Sequence, residues 1–86
     1  MPGIKDFQEE AWRIAEDNGF HEGDRSRAKV LALIHSEVSE ALEADREGDE
    51  DNYAEELADI VIRVFDHAEE EGINLQHEIV EKYDEN

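Results

Sequence analysis

Apolar residues recur at three- and four-residue steps from Ile4 almost to the end of the chain, and the one proline is Pro2. That spacing is the period of a helix face, and no stretch alternates cleanly over strand length. With no proline beyond Pro2, nothing interrupts helices downstream. The first helix is expected from about Ile4 to Asn18, with Ile4, Phe7, Ala11, Ile14 and Ala15 on its apolar face. Asn18-Gly19 stops it, and a polar connector from Phe20 to Arg27 follows. Asp24 or Ser26 caps a second helix over about Arg27 to Glu47, with Val30, Leu31, Leu33, Ile34, Val38, Ala41 and Leu42 apolar. Gly48 ends it. Asp51 or Asn52 caps a third, about Tyr53 to Glu71, carrying Leu57, Ile60, Val61, Val64, Phe65 and Ala68. After Gly72, Asn74 caps a last helix with Leu75, Ile79, Val80 and Tyr83 in register. The expected fold is all-α, one domain over residues 1–86 in the form of a four-helix up-and-down bundle.

A chain of 86 residues has a thin core, burying only ~60–65 % of its unfolded surface. It has no cysteine, so neither disulfides nor thiolate-bound metal can reinforce it. Oligomerisation or an oxygen-ligated metal remains, and a homodimer or homotetramer is expected. No apolar run approaches the ~18–20 residues of a membrane span. The start, Met1-Pro2-Gly3-Ile4-Lys5-Asp6, lacks the apolar stretch of a signal peptide. A cytoplasmic protein with no membrane partner is therefore expected. Twenty-six Asp/Glu against eight Lys/Arg give a net charge of −18, which repels nucleic acid. A nucleoside triphosphate would be repelled too, unless cations intervene. Such acid excess fits a halophilic origin, a cation-binding function, or mimicry of nucleic acid.

Four carboxylates stand out by position. At about 100° per residue, Glu37 falls inside the apolar arc of the second helix, and Glu40 lies at its edge beside Leu33. A carboxylate on a packing face is costly unless it is paired or coordinated. Glu56 lies just outside the apolar arc of the third helix, and Asp59 lies further round. Each pair has i,i+3 spacing and emerges on one face. If the two helices pack antiparallel, four carboxylates surround one pocket, a setting for Mg²⁺, with Mn²⁺ as the alternative. Plain ion pairing stays open. Asp59 has Arg63 at i+4, and Glu37 would be satisfied by Lys29 or by an arginine of another subunit. His21, His35, His67 and His77 show no metal-ligand spacing and are expected in surface or boundary roles.

The stretch Leu33-Ile34-His35-Ser36-Glu37-Val38-Ser39-Glu40-Ala41-Leu42, followed by Glu55-Glu56-Leu57-Ala58-Asp59-Ile60-Val61, resembles the MazG-like family of all-α nucleoside triphosphate pyrophosphohydrolases. The family's pattern is Glu-Glu-x-x-Glu, a spacer, then Glu-x-x-Asp on adjacent helices. Phe7-Gln8-Glu9-Glu10 to Gly19-Phe20 is similar to its first helix, and Lys82 to Asn86 matches its Lys-x-x-x-Asn. The resemblance implies hydrolysis of a (deoxy)nucleoside triphosphate to the monophosphate and pyrophosphate, in removal of noncanonical or surplus nucleotides. It implies Mg²⁺ on Glu37, Glu40, Glu56 and Asp59, with Glu37 also accepting the proton of the attacking water. Lys82 and Asn86 would contact phosphate. Trp12 would stack on the base, with Gln8 hydrogen-bonding nearby. It also implies dimers or tetramers with sites near subunit contacts.

The chain departs from the pattern at Ser36, which stands where the family has its leading Glu. That removes one ligand and puts a second metal ion in question. The family often continues past the equivalent of Asn86 with a basic segment. Three other functions compete: an inactive helical regulator that binds nucleotide or metal, an acidic interaction module, and a phosphoribosyl-ATP pyrophosphohydrolase within the same superfamily.

Overall fold

The computed structural model describes residues 2–85 and contains four helices: α1 (Ile4–Asp17), α2 (Arg27–Glu47), α3 (Glu50–Glu70) and α4 (Leu75–Glu85). The all-α architecture and the order of its elements follow the apolar periodicity. Local chemistry fixes the ends. The Asp6 carboxylate accepts from the Gly3 N–H at 2.9 Å, closing the first turn of α1. Ser26, rather than Asp24, caps α2 by accepting from the Lys29 N–H at 3.3 Å. Asp24 in turn accepts from the Ser26 N–H at 2.9 Å. α3 begins three residues before the expected Tyr53, because Asp49 and not Asp51 or Asn52 is its cap, accepting from the Asn52 N–H at 3.1 Å. Asn74 caps α4 as expected, 3.0 Å from the His77 N–H. Gly48, at φ 71°, takes the left-handed turn that reverses the chain between α2 and α3.

α3 is the central element. α1 and α2 both pack on it, and α4 is seated against α1. The side chains out of solvent are small: Ala11, Ala15, Ala41, Ala44 and Ala68, with Gln8 beside them. Small residues let the helix axes approach closely but bury little apolar area. The larger members of the apolar faces are about half exposed. They include Phe7 and Ile14 on α1, Leu31, Val38 and Leu42 on α2, and Leu57, Val61 and Ile62 on α3. Among the described residues, no large side chain is fully buried. One copy of the chain therefore leaves most of its apolar stripe in contact with water, as its length and missing cysteines foreshadow. Among the described residues, no helix is long and apolar enough to cross a membrane.

Candidate metal and nucleotide site

The tight turn at Gly48 folds α2 back along α3, and this brings carboxylates from both helices together. One oxygen each of Glu37, Glu56 and Asp59 lie within 4.8 Å of one another. Glu56 Oε2 is buried with no hydrogen-bond partner. Burial first, then Glu40 through both its charge and a side-chain hydrogen-bonding contact, then the charges of Asp59 and Glu37, push the Glu56 carboxyl above the ordinary glutamate range. A carboxylate with one oxygen buried and without a donor, clustered with two other carboxylates, is unfavourable until a cation supplies the missing partner. An all-oxygen carboxylate set suits a hard divalent ion. Glu40 is exposed and lies outside the trio, although its charge acts on Glu56. Ser36 turns its hydroxyl back to the Leu33 carbonyl at 2.8 Å, so it offers the cluster nothing.

Glu37 does sit on the packing face: its side chain is only 14 % exposed. Within one chain its partner is not Lys29. Arg63 Nε donates to Glu37 Oε1 at 3.2 Å, across the α2–α3 seam. Arg63 thus serves Glu37 and not Asp59, its neighbour one turn away. The guanidinium also lies over the Phe20 ring, 5.3 Å from its centroid.

A cavity of about 230 Å³ adjoins the cluster. Ile14 of α1, Phe20 of the connector, Glu37 of α2, and Asp59, Arg63 and Asp66 of α3 line it. The three α3 residues follow at i, i+4 and i+7, which places them in one row along the helix. The cavity therefore runs along α3, with carboxylates at the Asp59 end and Asp66 at the other.

Asp66 was not evident as a site residue, although its heptad spacing from Asp59 is a signal for it. Its side chain is 18 % exposed, and Oδ1 meets His21 Nε2 at 2.7 Å. The other ring nitrogen of His21 faces Glu16, and the ring lies 5.0 Å from that of Trp12. Burial works against the charged imidazolium, but hydrogen bonds to Glu16 and Asp66 outweigh it and raise the His21 pKa. His21 is thus a boundary residue, as expected, with its ring held between two acids. Arg25 and Arg27 pair with Glu70 and Glu71 and strap the connector, with Phe20, along α3.

The remaining candidates lie elsewhere. Gln8 is 5 % exposed and donates to Glu69 at 3.0 Å and to the Ile73 carbonyl at 2.7 Å, joining α1 to the α3–α4 turn. Trp12 donates its indole N–H to Glu70. Neither lines the cavity beside the cluster. Lys82 is on the exposed side of α4, 3.1 Å from Glu85. Asn86 lies outside the described residues. Within one chain the structure unites Glu37, Glu56 and Asp59, keeps Glu40 at their edge, and leaves Gln8, Trp12 and Lys82 away from the cavity.

Comparison with curated proteins and with solved structures finds no match. A family model, phosphoribosyl-ATP pyrophosphohydrolase, matches residues 4–85. Helix order and carboxylate spacing agree with that match, and the family's activity is pyrophosphohydrolysis of nucleotide-like substrates. The chain therefore belongs to the phosphoribosyl-ATP pyrophosphohydrolase family, within the MazG-like all-α nucleoside triphosphate pyrophosphohydrolases.

Proposed function

We propose that the protein hydrolyses a (deoxy)nucleoside triphosphate to the monophosphate and pyrophosphate, with Mg²⁺ held by Glu37, Glu56 and Asp59 and completed by Glu40. What carries this is the trio of carboxylate oxygens from Glu37, Glu56 and Asp59 within 4.8 Å, together with the orphaned Oε2 of the same Glu56. Bound there, the ion would neutralise phosphate charge and acidify a water. The other roles belong to side chains. Glu37 accepts the proton of the attacking water, oriented by the bond from Arg63. Arg63 is the cavity's one cationic side chain, and it stabilises negative charge on the departing pyrophosphate. Phe20 and Ile14 provide apolar walls for the nucleoside.

Within the family, a plain triphosphate fits better than phosphoribosyl-ATP. That molecule carries a phosphoribosyl group on its base, and the far end of the cavity presents the Asp66 carboxylate. Assembly as a homodimer or homotetramer belongs to the same proposal. An apolar groove of about 620 Å³ between α1 and α3, walled by Phe7, Ile14, Val61 and Ile62, would be covered by a second copy. Lys82, which does not line the cavity beside the cluster, would then reach phosphate only across a subunit contact; Asn86 is proposed to contact phosphate with it.

The test is a panel of ribo- and deoxyribonucleoside triphosphates, noncanonical ones and phosphoribosyl-ATP, at low and high salt, with products identified. Monophosphate plus pyrophosphate from triphosphates supports the proposal. Preference for phosphoribosyl-ATP would reassign the substrate. Binding without product would leave a regulatory protein.

A further inference from the structure

We infer that Asp66 reads the base, selecting nucleotides whose base carries an exocyclic amino group. This inference rests on the proposed nucleotide reading of the same cavity. Asp59 and Asp66 lie seven residues apart on one face of α3, a separation of ~10 Å along the helix. That is about the distance from the phosphates of a nucleotide to the far edge of its base. With phosphates at the Glu37, Glu56 and Asp59 end, the base falls between Phe20, Ile14 and Asp66. The cavity's volume of about 230 Å³ takes a nucleoside and little more.

The state of Asp66 determines which base edge it accepts. Its side chain is 18 % exposed, and its one hydrogen bond among the described residues is from His21 to Oδ1. His21 is itself fixed by Glu16 and by the Trp12 ring, so the carboxylate does not swing freely. Oδ2 remains to accept a hydrogen bond, and an ionised carboxylate has no proton to donate. An amino group, as on cytosine or adenine, satisfies it. At the same position a keto oxygen, as on uracil or hypoxanthine, would face a carboxylate oxygen with no hydrogen between them. Leaving a mostly buried charged group unpaired is how a polar site rejects an analogue. His21 acts as the positioning residue. It takes no part in the chemistry.

The experiment is calorimetric titration of the full chain, with Mg²⁺, against non-hydrolysable triphosphate analogues in matched pairs: cytidine and uridine, adenosine and inosine. Inorganic tripolyphosphate serves as the base-free probe. The expected result is ~10- to 100-fold tighter binding of the amino member of at least one pair. Asp66→Asn should reduce that ratio to near one, because its amide can turn a donor to the keto group, while tripolyphosphate binding is unchanged. The wild-type pairs stand alone if the variant does not fold. Equal binding within every pair, or a preference that survives Asp66→Asn, overturns the inference and leaves the nucleotide reading intact. Failure of tripolyphosphate and of every nucleotide to bind overturns both.

Discussion

Replacing Arg63 by glutamine should destabilise the metal-free protein, and Mg²⁺ should repair most of the loss. Arg63 makes one 3.2 Å bond to Glu37, and the two side chains are 31 % and 14 % exposed. Fully exposed pairs contribute ~0–1 kcal/mol. Removing one partner of a fully buried pair costs ~3–5 kcal/mol, because a charge is left unpaired. This pair lies between, so Arg63→Gln should cost about 2 kcal/mol. For a domain of this size each kcal/mol moves the melting midpoint by ~4–8 °C, so a fall of ~8–16 °C is expected in EDTA. Glu37 would then face Glu56 and Asp59 with no cation, and a divalent ion would supply what Arg63 no longer does. Saturating Mg²⁺ should therefore raise the midpoint of the variant more than that of the wild type. The double variant Glu37→Gln/Arg63→Gln should recover stability in EDTA, because neither partner is left charged. Helix signal followed during thermal and urea unfolding measures all three proteins. A variant within ~0.5 kcal/mol of wild type, the ordinary range for surface changes, would refute the argument. So would equal Mg²⁺ shifts in both proteins.

Glu56→Gln should raise the stability of the metal-free protein and erase its response to Mg²⁺, since burial and three acidic neighbours work against the native charge; differential scanning with and without the ion reads both effects. The raised His21 pKa makes its contribution to stability full below the ordinary histidine range and lost as pH rises through the higher folded value. Urea midpoints across that window should fall with pH in the wild type and lose this component in His21→Phe. Gln8→Leu should cost ~1–3 kcal/mol, because it strands the Ile73 carbonyl and Glu69, while turnover per folded molecule stays unchanged. Ser26→Ala should cost ~1 kcal/mol through the lost cap of α2, seen in the same unfolding assay.

Helix existence, order and most boundaries were legible in the sequence, because glycine stops and capping side chains act through neighbours a few residues away. The start of α3 was read late because Asp49, Asp51 and Asn52 are all competent caps, and only the turn at Gly48 decides among them. Glu37 was legible as an anomaly, a carboxylate inside an apolar arc. Its partner was not: Arg63 lies 26 positions away, and i,i+4 reasoning attached it to Asp59. Asp66 and His21 escaped for the same reason. Their pairing depends on how the connector folds over α3, and nothing local encodes it. Gln8 and Trp12 carried no local mark separating a tether from a ligand contact. Their roles follow from the α1–α3 packing that places Glu69 and Glu70 beside them.

The central claim is that the acids of the α2–α3 seam hold the ion required for pyrophosphate release. Its most direct test measures pyrophosphate formed from the preferred triphosphate as Mg²⁺ is titrated, for the wild type and for Glu56→Gln. Release should saturate with Mg²⁺ in the wild type, vanish in EDTA, and be lost in a variant that is folded and no less stable than its parent. Pyrophosphate release by Glu56→Gln at the wild-type rate and Mg²⁺ dependence would contradict it.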